Sequence, residues 1–321
     1  MRQLRCLIPL LCLVSCAALA QQYPARPVRV LIPFTAGSAA DIIARAMEPA
    51  MRERLGQPFV IDNRGGAGGN IAAELTAKAT PDGHTIMMAT IGTHAINHSL
   101  YSKLPFHPQR DFTPVGLVAE SPNALVINPK VQATSIQELI ALARSKPGRL
   151  NYGSSGAGTT VHLSAELFSV MTGIKMTHIP HKGAAEALAS LLGGQTDLMF
   201  ASLSSSIPLI KAGRLRAFAV TGAKRSPSIP ELPTVADAAG LPGFEASAWF
   251  GIVGPAGVPK GAVATLNKAA LSALEDAEVR KRLFNAGVEI RTSSPEVFAR
   301  YIESEMQKWE KVVKASGARA D

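Results

Sequence analysis

VRVLIPFTAGSAADIIAR, residues 28–45, is the stretch whose reading decides the fold. Val28 to Ile32 is a short β-branched run that Pro33 ends, which reads as a buried strand. Apart from Phe34, residues 34–38 are small and polar. From Ile42 onward apolar residues recur at helical spacing through Ile43, Ala46, Met47 and Ala50. The unit is therefore strand, tight turn, helix. Ser38 followed three residues later by Asp41 fits a capping box and puts the helix start at Ser38. The first amides of a helix lack helical partners and carry partial positive charge, so such a turn can hold an anion without Lys or Arg. Pro49 conflicts with this pattern. Inside a helix it removes a backbone hydrogen bond and costs about 3 kcal/mol, so a kink or break is expected near residues 45–47.

Every βα unit has one such turn, and the argument gains weight because the chain repeats it. Strands are expected over 58–62 and 84–89, with a glycine-rich turn over 63–70 and a helix between them. Thr90 to Thr93 opens a short helix towards Leu100. A longer strand over 112–119 is interrupted by Ser121-Pro122-Asn123 and resumes over 124–127, which reads as a crossing between domains. A second alternating series follows, with turns over 153–159, 181–183 and 201–206 that each leave a strand. Residues 222–247 are rich in Pro and Gly and read as a connection. A strand over 248–253 is the return crossing, and three helices over 260–274, 277–286 and 295–315 end the chain. Alternating strands and helices indicate parallel sheets covered by helices, with domain 1 over 21–119 plus 248–321 and domain 2 over 120–247.

The first twenty residues stand apart. Arg2 and Arg5 are their only charges, the apolar run over 6–18 is too short to span a bilayer, and Ala18-Leu19-Ala20 is an A-x-A site. This reads as a secretory signal over 1–20, cut before Gln21. A rival reading takes Leu13-Val14-Ser15-Cys16 as a lipoprotein box that leaves Cys16 lipidated. Cys6, Cys12 and Cys16 are the three cysteines of the chain, so cleavage after Ala20 leaves neither disulfide nor cysteine nucleophile. Without Arg2 and Arg5, 31 of the 33 basic residues stand against 24 acidic ones, a net charge of +7. The basic residues are scattered and only 5% of the chain is aromatic, so no basic-aromatic stripe points to nucleic acid.

Several motifs come close to known chemistry and fail. Gly153-Ser154-Ser155-Gly156 lacks the final glycine of a nucleophile elbow, because Ala157 stands there. Residues 153–159 lack the lysine of a P-loop, with Thr159 in its place. Gly66 and Gly68 begin a dinucleotide fingerprint that Ile71 ends. His94 with His98, and His178 with His181, have ligand-like spacing, but no H-E-x-x-H and no cysteine supports a metal. No cofactor fingerprint is present. His162 reads equally as a structural imidazole near a helix start or as a ligand contact. Asp41 reads as a capping group before a ligand group, and Lys182 as a solvated lysine before a binding one. What remains is collective. In parallel sheets ligands sit beyond the C-terminal strand ends. Turns 34–38 and 90–93 of the first series face turns 153–159, 181–183 and 201–206 of the second, lining a cleft with amides and hydroxyls suited to a small carboxylate.

The leader, YPARPVRVLIPFTAGSAADIIAR, VIDNRGGAGGNIAAE, PDGHTIMMATIGTHAINHSLY, LNYGSSGAGTTVHLSAELF, HIPHKGAAEALASLLGGQTDLMFAS and WFGIVGPAGVPK together resemble the Bug/TctC family over nearly the whole mature chain. These are extracytoplasmic solute receptors linked to tripartite tricarboxylate transport. The resemblance implies two doubly wound α/β domains around a cleft, of the periplasmic-binding-protein type with two crossing strands. It implies a small carboxylate held partly through water by Phe34, Gly37, Ser38 and Asp41, with Ser154, Ser155, Gly158, Thr159 and His162 opposite. The cleft reading adds Thr90, Gly92, Thr93, Lys182, Ala201 and Ser202. The family usually has Gly-Gly where this chain has Gly37-Ser38, and Tyr is common where His181 stands, so the ligand can differ. The expectation is a monomeric periplasmic receptor without catalysis, feeding membrane transporter subunits or a sensor. The alternative is a periplasmic hydrolase on a similar frame.

Overall fold

The computed structural model describes residues 23–320, and the leader with its three cysteines and both processing sites lies outside them. The described strands fall into two sheets. They are β1 (Val28–Ile32), β2 (Phe59–Asn63), β3 (Thr85–Thr90), β4 (Phe112–Ser121), β5 (Asn123–Ile127), β6 (Asn151–Ser154), β7 (Thr177–Pro180), β8 (Leu198–Ser202), β9 (Arg216–Val220), β10 (Ala248–Pro255) and β11 (Glu289–Ile290). The first sheet runs β11-β4-β10-β3-β1-β2 and the second β7-β6-β8-β5-β9.

β1 pairs in parallel with both β2 and β3, so its side chains face helices on both sides and Val28, Val30, Leu31 and Ile32 are fully buried. The β-branched run thus does what its composition requires. β6 plays the same part in the second sheet, parallel to β7 and β8. The sheets are not wholly parallel as the alternation suggests. The crossing strands β4 and β10 pair antiparallel with each other, β10 also runs antiparallel to β3, and β5 lies antiparallel between β8 and β9. A chain that leaves one sheet and returns must enter and exit in opposite directions.

The Ala39–Leu55 helix covers one face of the first sheet through Ile43, Met47, Ala50 and Met51. It runs through Pro49 without the expected break. Burial of that apolar face against the sheet and against the Lys260–Glu275 helix offsets the lost hydrogen bond. The opposite face carries the Asn70–Ala77 helix, the 92–100 segment and the long Pro295–Ser316 helix. That last helix also touches the Thr160–Thr172 helix of the second sheet, so one continuous core joins Leu31, Trp249 and Phe298 to Leu163, Phe168 and Phe200. The sequence reading has no counterpart for the Leu203–Lys211 helix, which takes up most of the expected 201–206 turn, for the Val235–Ala239 helix within the connection or for the edge strand β11.

Candidate functional site

The turn after β1 is built around Asp41. The Ser38 hydroxyl accepts the Asp41 amide at 3.3 Å, so Ser38 caps the helix as its spacing predicts. The Asp41 carboxylate, 2% exposed, reaches back to accept the Gly37 amide at 2.9 Å, and it takes Arg45 Nε at 3.0 Å and Asn63 Nδ2 at 3.0 Å. Burial alone would raise this carboxyl, but the bonds from Arg45, the Gly37 amide and Asn63 hold it below the usual carboxylate range. Asn63 also donates to the Phe34 carbonyl at 3.0 Å, which fixes the other end of the turn. Asp41 is therefore spent on shaping the loop. The half-buried Phe34 and Ser38 and the exposed Gly37 form its outer rim. The Ser38 hydroxyl donates to no acceptor among the described residues, and the Ala39 and Ala40 amides stand at the helix start without helical partners.

The turn after β6 is built from below. Thr159 caps the Thr160–Thr172 helix by accepting the His162 amide at 3.3 Å, while its own hydroxyl donates to the Gly156 carbonyl at 2.8 Å. Thr159 thus has no proton left for a ligand, which the sequence does not reveal. The Gly158 amide donates to His162 Nδ1 at 3.2 Å. The fully buried Ser154 lies 2.6 Å from His178 Nε2 and also bonds with Gly156. His162, 3% exposed, lies beneath the turn with its ring stacked on His178. Ser155 is half-buried at the turn's outer side.

Gly158 brings the two halves together. Its φ is +77°, and a β-carbon there would lie 2.5 Å from Leu100 Cδ2 and 3.3 Å from Asn97 Oδ1, both on the other side of the cleft. Gly92 faces the same contact, between the carbonyls of Gly158 and Gly68. Asn97 holds this lip by donating to Gly68 O at 3.1 Å and to Asn70 Oδ1 at 2.6 Å.

The remaining candidates divide. Thr90 and Thr93 are buried and bond to each other, and Thr93 also meets His94 Nδ1 at 2.9 Å, so both hydroxyls face inward. Ala201 is buried within the second sheet. Ser202 pairs with the Ser204 hydroxyl at 2.8 Å, opposite Asn123 in the β5–β8 register and beside Pro122 of the crossing. Lys182 is exposed, and only its amide is engaged, with Glu186 at 3.1 Å. The His94–His98 pair does not converge. His94 is fully buried against Phe112, with burial pushing its imidazole down to about 3, whereas His98 is exposed beside His107. Among the described residues no group of three His, Cys, Asp or Glu side chains could hold a metal. Sequence reasoning missed His178 and Asn97 as shapers of the two lips. His178 sits opposite Tyr152 in the β6–β7 register, a neighbour that only the strand pairing reveals.

The model of the tripartite tricarboxylate transporter family receptor matches residues 43–318. BugT of Bordetella pertussis is 34% identical over 301 residues, covering 94% of this chain and 92% of that one. Among solved structures, the Rhodopseudomonas palustris protein Rpa4515 with adipate is 42% identical with a TM-score of 0.84, covering 92% of this chain and 98% of that one. MatC of the same organism, with bound malate, is 35% identical with a TM-score of 0.81, covering 91% and 100%.

Proposed function

The chain belongs to the tripartite tricarboxylate transporter receptor family, and we infer from that membership and from the site that it is a periplasmic receptor for a small carboxylate. The observation that carries the reading is a pair of polar turns, each leaving a parallel strand and entering a helix start, the second of which abuts Leu100 and Asn97 of the first half at Gly158. Loops 33–38 and 153–159 contain no Arg or Lys, so the carboxylate is held by amide dipoles and hydroxyls. Phe34, Gly37 and Ser38 supply one wall, and Ser155 with the first amides of the Thr160–Thr172 helix the other. Adipate and malate, the ligands of the two similar structures, are both dicarboxylates and define the class to test first. The receptor acts as a monomer, hands its ligand to membrane transporter subunits or a sensor, and performs no turnover.

The Ser154–His178 contact is the feature that would favour a hydrolase. Ser154 is fully buried, however, and its hydroxyl is also tied to Gly156, so no substrate carbonyl can reach it. Binding without hydrolysis is the reading this supports.

Mass spectrometry of compounds released from the purified protein, followed by calorimetry with adipate and malate, tests the reading. A carboxylate bound one-to-one is expected. Ser38→Ala removes one charge-assisted hydrogen bond of about 1.5–3 kcal/mol, a loss on the order of ten- to a hundredfold in affinity, whereas Lys182→Met leaves affinity nearly unchanged. Lost binding in Lys182→Met with a silent Ser38→Ala would make this a point-charge site and overturn the account.

A further inference from the structure

Beneath the second turn lies a column of buried titratable side chains that carboxylate binding does not itself require. Tyr152, His178 and His162 stack in order, with Tyr152 and His178 centroids 4.9 Å apart and His178 and His162 4.0 Å apart at 12°. Each imidazole holds one end of the turn. His162 Nδ1 accepts the Gly158 amide at 3.2 Å, so that nitrogen carries no proton and Nε2 faces Glu166 Oε1 at 3.7 Å. His178 Nε2 meets the Ser154 hydroxyl at 2.6 Å. The Glu166 carboxylate already accepts the Tyr152 hydroxyl, and His181, with Glu186 at 3.7 Å, adds its charge when protonated on the side of His178. Across the cleft the neighbours of Gly158 are Leu100, Asn97 and Gly92, all uncharged.

We propose that the stacked His162–His178 pair makes the second turn an acid-labile grip, holding residues 154–159 against the first half only while both rings are neutral. The release of ligand that follows rests on the receptor reading above. A proton on His162 Nδ1 confronts the Gly158 amide with a donor where it needs an acceptor. Two imidazolium rings at stacking distance repel, and Glu166, which burial raises towards its neutral form, offsets them poorly. Burial, then the neighbouring His178, pushes His162 down to about 3, and burial, then His181, pushes His178 down to about 4. Rings released to water return to about 6.5. The closed turn is therefore fully stable above pH 6.5 and weakens as pH falls through the window from 6.5 towards 4. Each unit of pH in that window counts up to about tenfold per ring.

The test follows the Gly158 amide by hydrogen exchange in the intact isotope-labelled protein, with protection referred to the intrinsic rate at each pH. Protection should fall by about tenfold or more between pH 7 and pH 5. His178→Gln, which keeps a polar atom near Nε2 but cannot titrate, should leave only the remaining ring's share, roughly the square root of the wild-type fall. His162→Asn keeps an acceptor near Nδ1 and should do the same. Unchanged wild-type protection from pH 7 to pH 5 overturns the proposal, and so does an identical loss in both variants. The wild-type arm decides alone if the variants do not fold. A calorimetric arm with adipate and malate separates the two claims. Protection lost with acid while neither carboxylate nor any co-purified acid binds at pH 7 would sink the receptor reading and leave the proton-sensitive turn.

Discussion

Gly158 carries two constraints at once, a left-handed backbone and a neighbour that leaves no room for a side chain. An alanine there meets the left-handed penalty of about 1–2 kcal/mol and must push the turn away from Leu100. Gly158→Ala should lower stability by about 2 kcal/mol in denaturant unfolding. It should also weaken carboxylate binding by more than that strain explains, because the lips can no longer meet. Leu100→Ala in the same chain removes the obstacle but not the φ penalty, so it should restore binding in part. No restoration would mean that the contact is incidental to the grip. Asp41 sets a second constraint, at the other lip. Asp41→Ala frees the Gly37 amide and undoes the fixing of Asn63, at a cost of about 2 kcal/mol. The sign with pH follows from its lowered carboxyl. Its contribution is fully present above the unfolded value near 3.9 and is lost as pH falls through the lower folded value. Stability curves of wild type and Asp41→Ala should therefore lie apart at pH 6 and converge as pH falls through that lower value. Parallel curves over that range would show that the carboxylate is not what holds the loop.

The Pro295–Ser316 helix is the element that joins the two halves, and it is fastened at one point to a crossing strand. Glu305, 6% exposed, accepts Trp249 Nε1 of β10 at 3.2 Å and Trp309 Nε1 of its own helix at 3.1 Å, with Lys308 at 3.2 Å on the other oxygen. Glu305→Leu leaves two buried indole N–H groups unpaired, each costing about 1–3 kcal/mol, so unfolding should be easier by about 3 kcal/mol. Glu305→Gln keeps one acceptor and should cost about half as much. These are the two tryptophans of the chain, so their fluorescence in a denaturant titration reads the joint directly. An unshifted midpoint for Glu305→Leu would contradict it. Nothing in the sequence announces this fastening, because Trp249 and Glu305 lie far apart in the chain and pair only after β10 is placed. What the sequence does announce is local. The strand at Val28–Ile32, the cap at Ser38 and the interruption at Pro122 each follow from the chemistry of neighbouring residues. Pro49 misled because tertiary burial outweighs a local penalty. The site was legible as loops but not as atoms. Spacing marks Thr159 as a candidate, but only the fold shows its hydroxyl donated to Gly156, and only strand pairing puts His178 under the turn.

At the scale of the molecule, the two sheets are joined by crossings whose free length is about one residue each. On one side of the joint, β4 and β10 are laddered up to the Ser121–Ala248 pair. On the other, the buried Thr221 gathers both crossings, since its hydroxyl accepts the Asn123 amide at 2.8 Å and donates to Ala246 O at 3.2 Å. Only Pro122 on one crossing and Ser247 on the other lie between these anchors. Arg291 spans the same joint, 2.7 Å from Glu120 and 4.0 Å from Glu245, so charge on the hinge side accompanies any rotation. So short a joint permits rotation of one sheet against the other and little sliding. The contact of Gly158 with Leu100 and Asn97 marks the closed end of that rotation. A ligand that bridges both turns favours this end by its differential affinity for it. Small-angle scattering on the free protein should therefore give a radius above the roughly 19 Å of a compact chain of this length. Saturation with adipate or malate, whichever binds, should bring it down. Gly158→Ala is the internal control, because its lips cannot meet and its radius should stay large with or without ligand. If wild type shrinks and the variant shrinks equally, compaction does not run through the Gly158 contact. If wild type does not shrink at saturation and its free radius already matches the compact value, the hinge is locked and ligand enters by local opening of the turns instead.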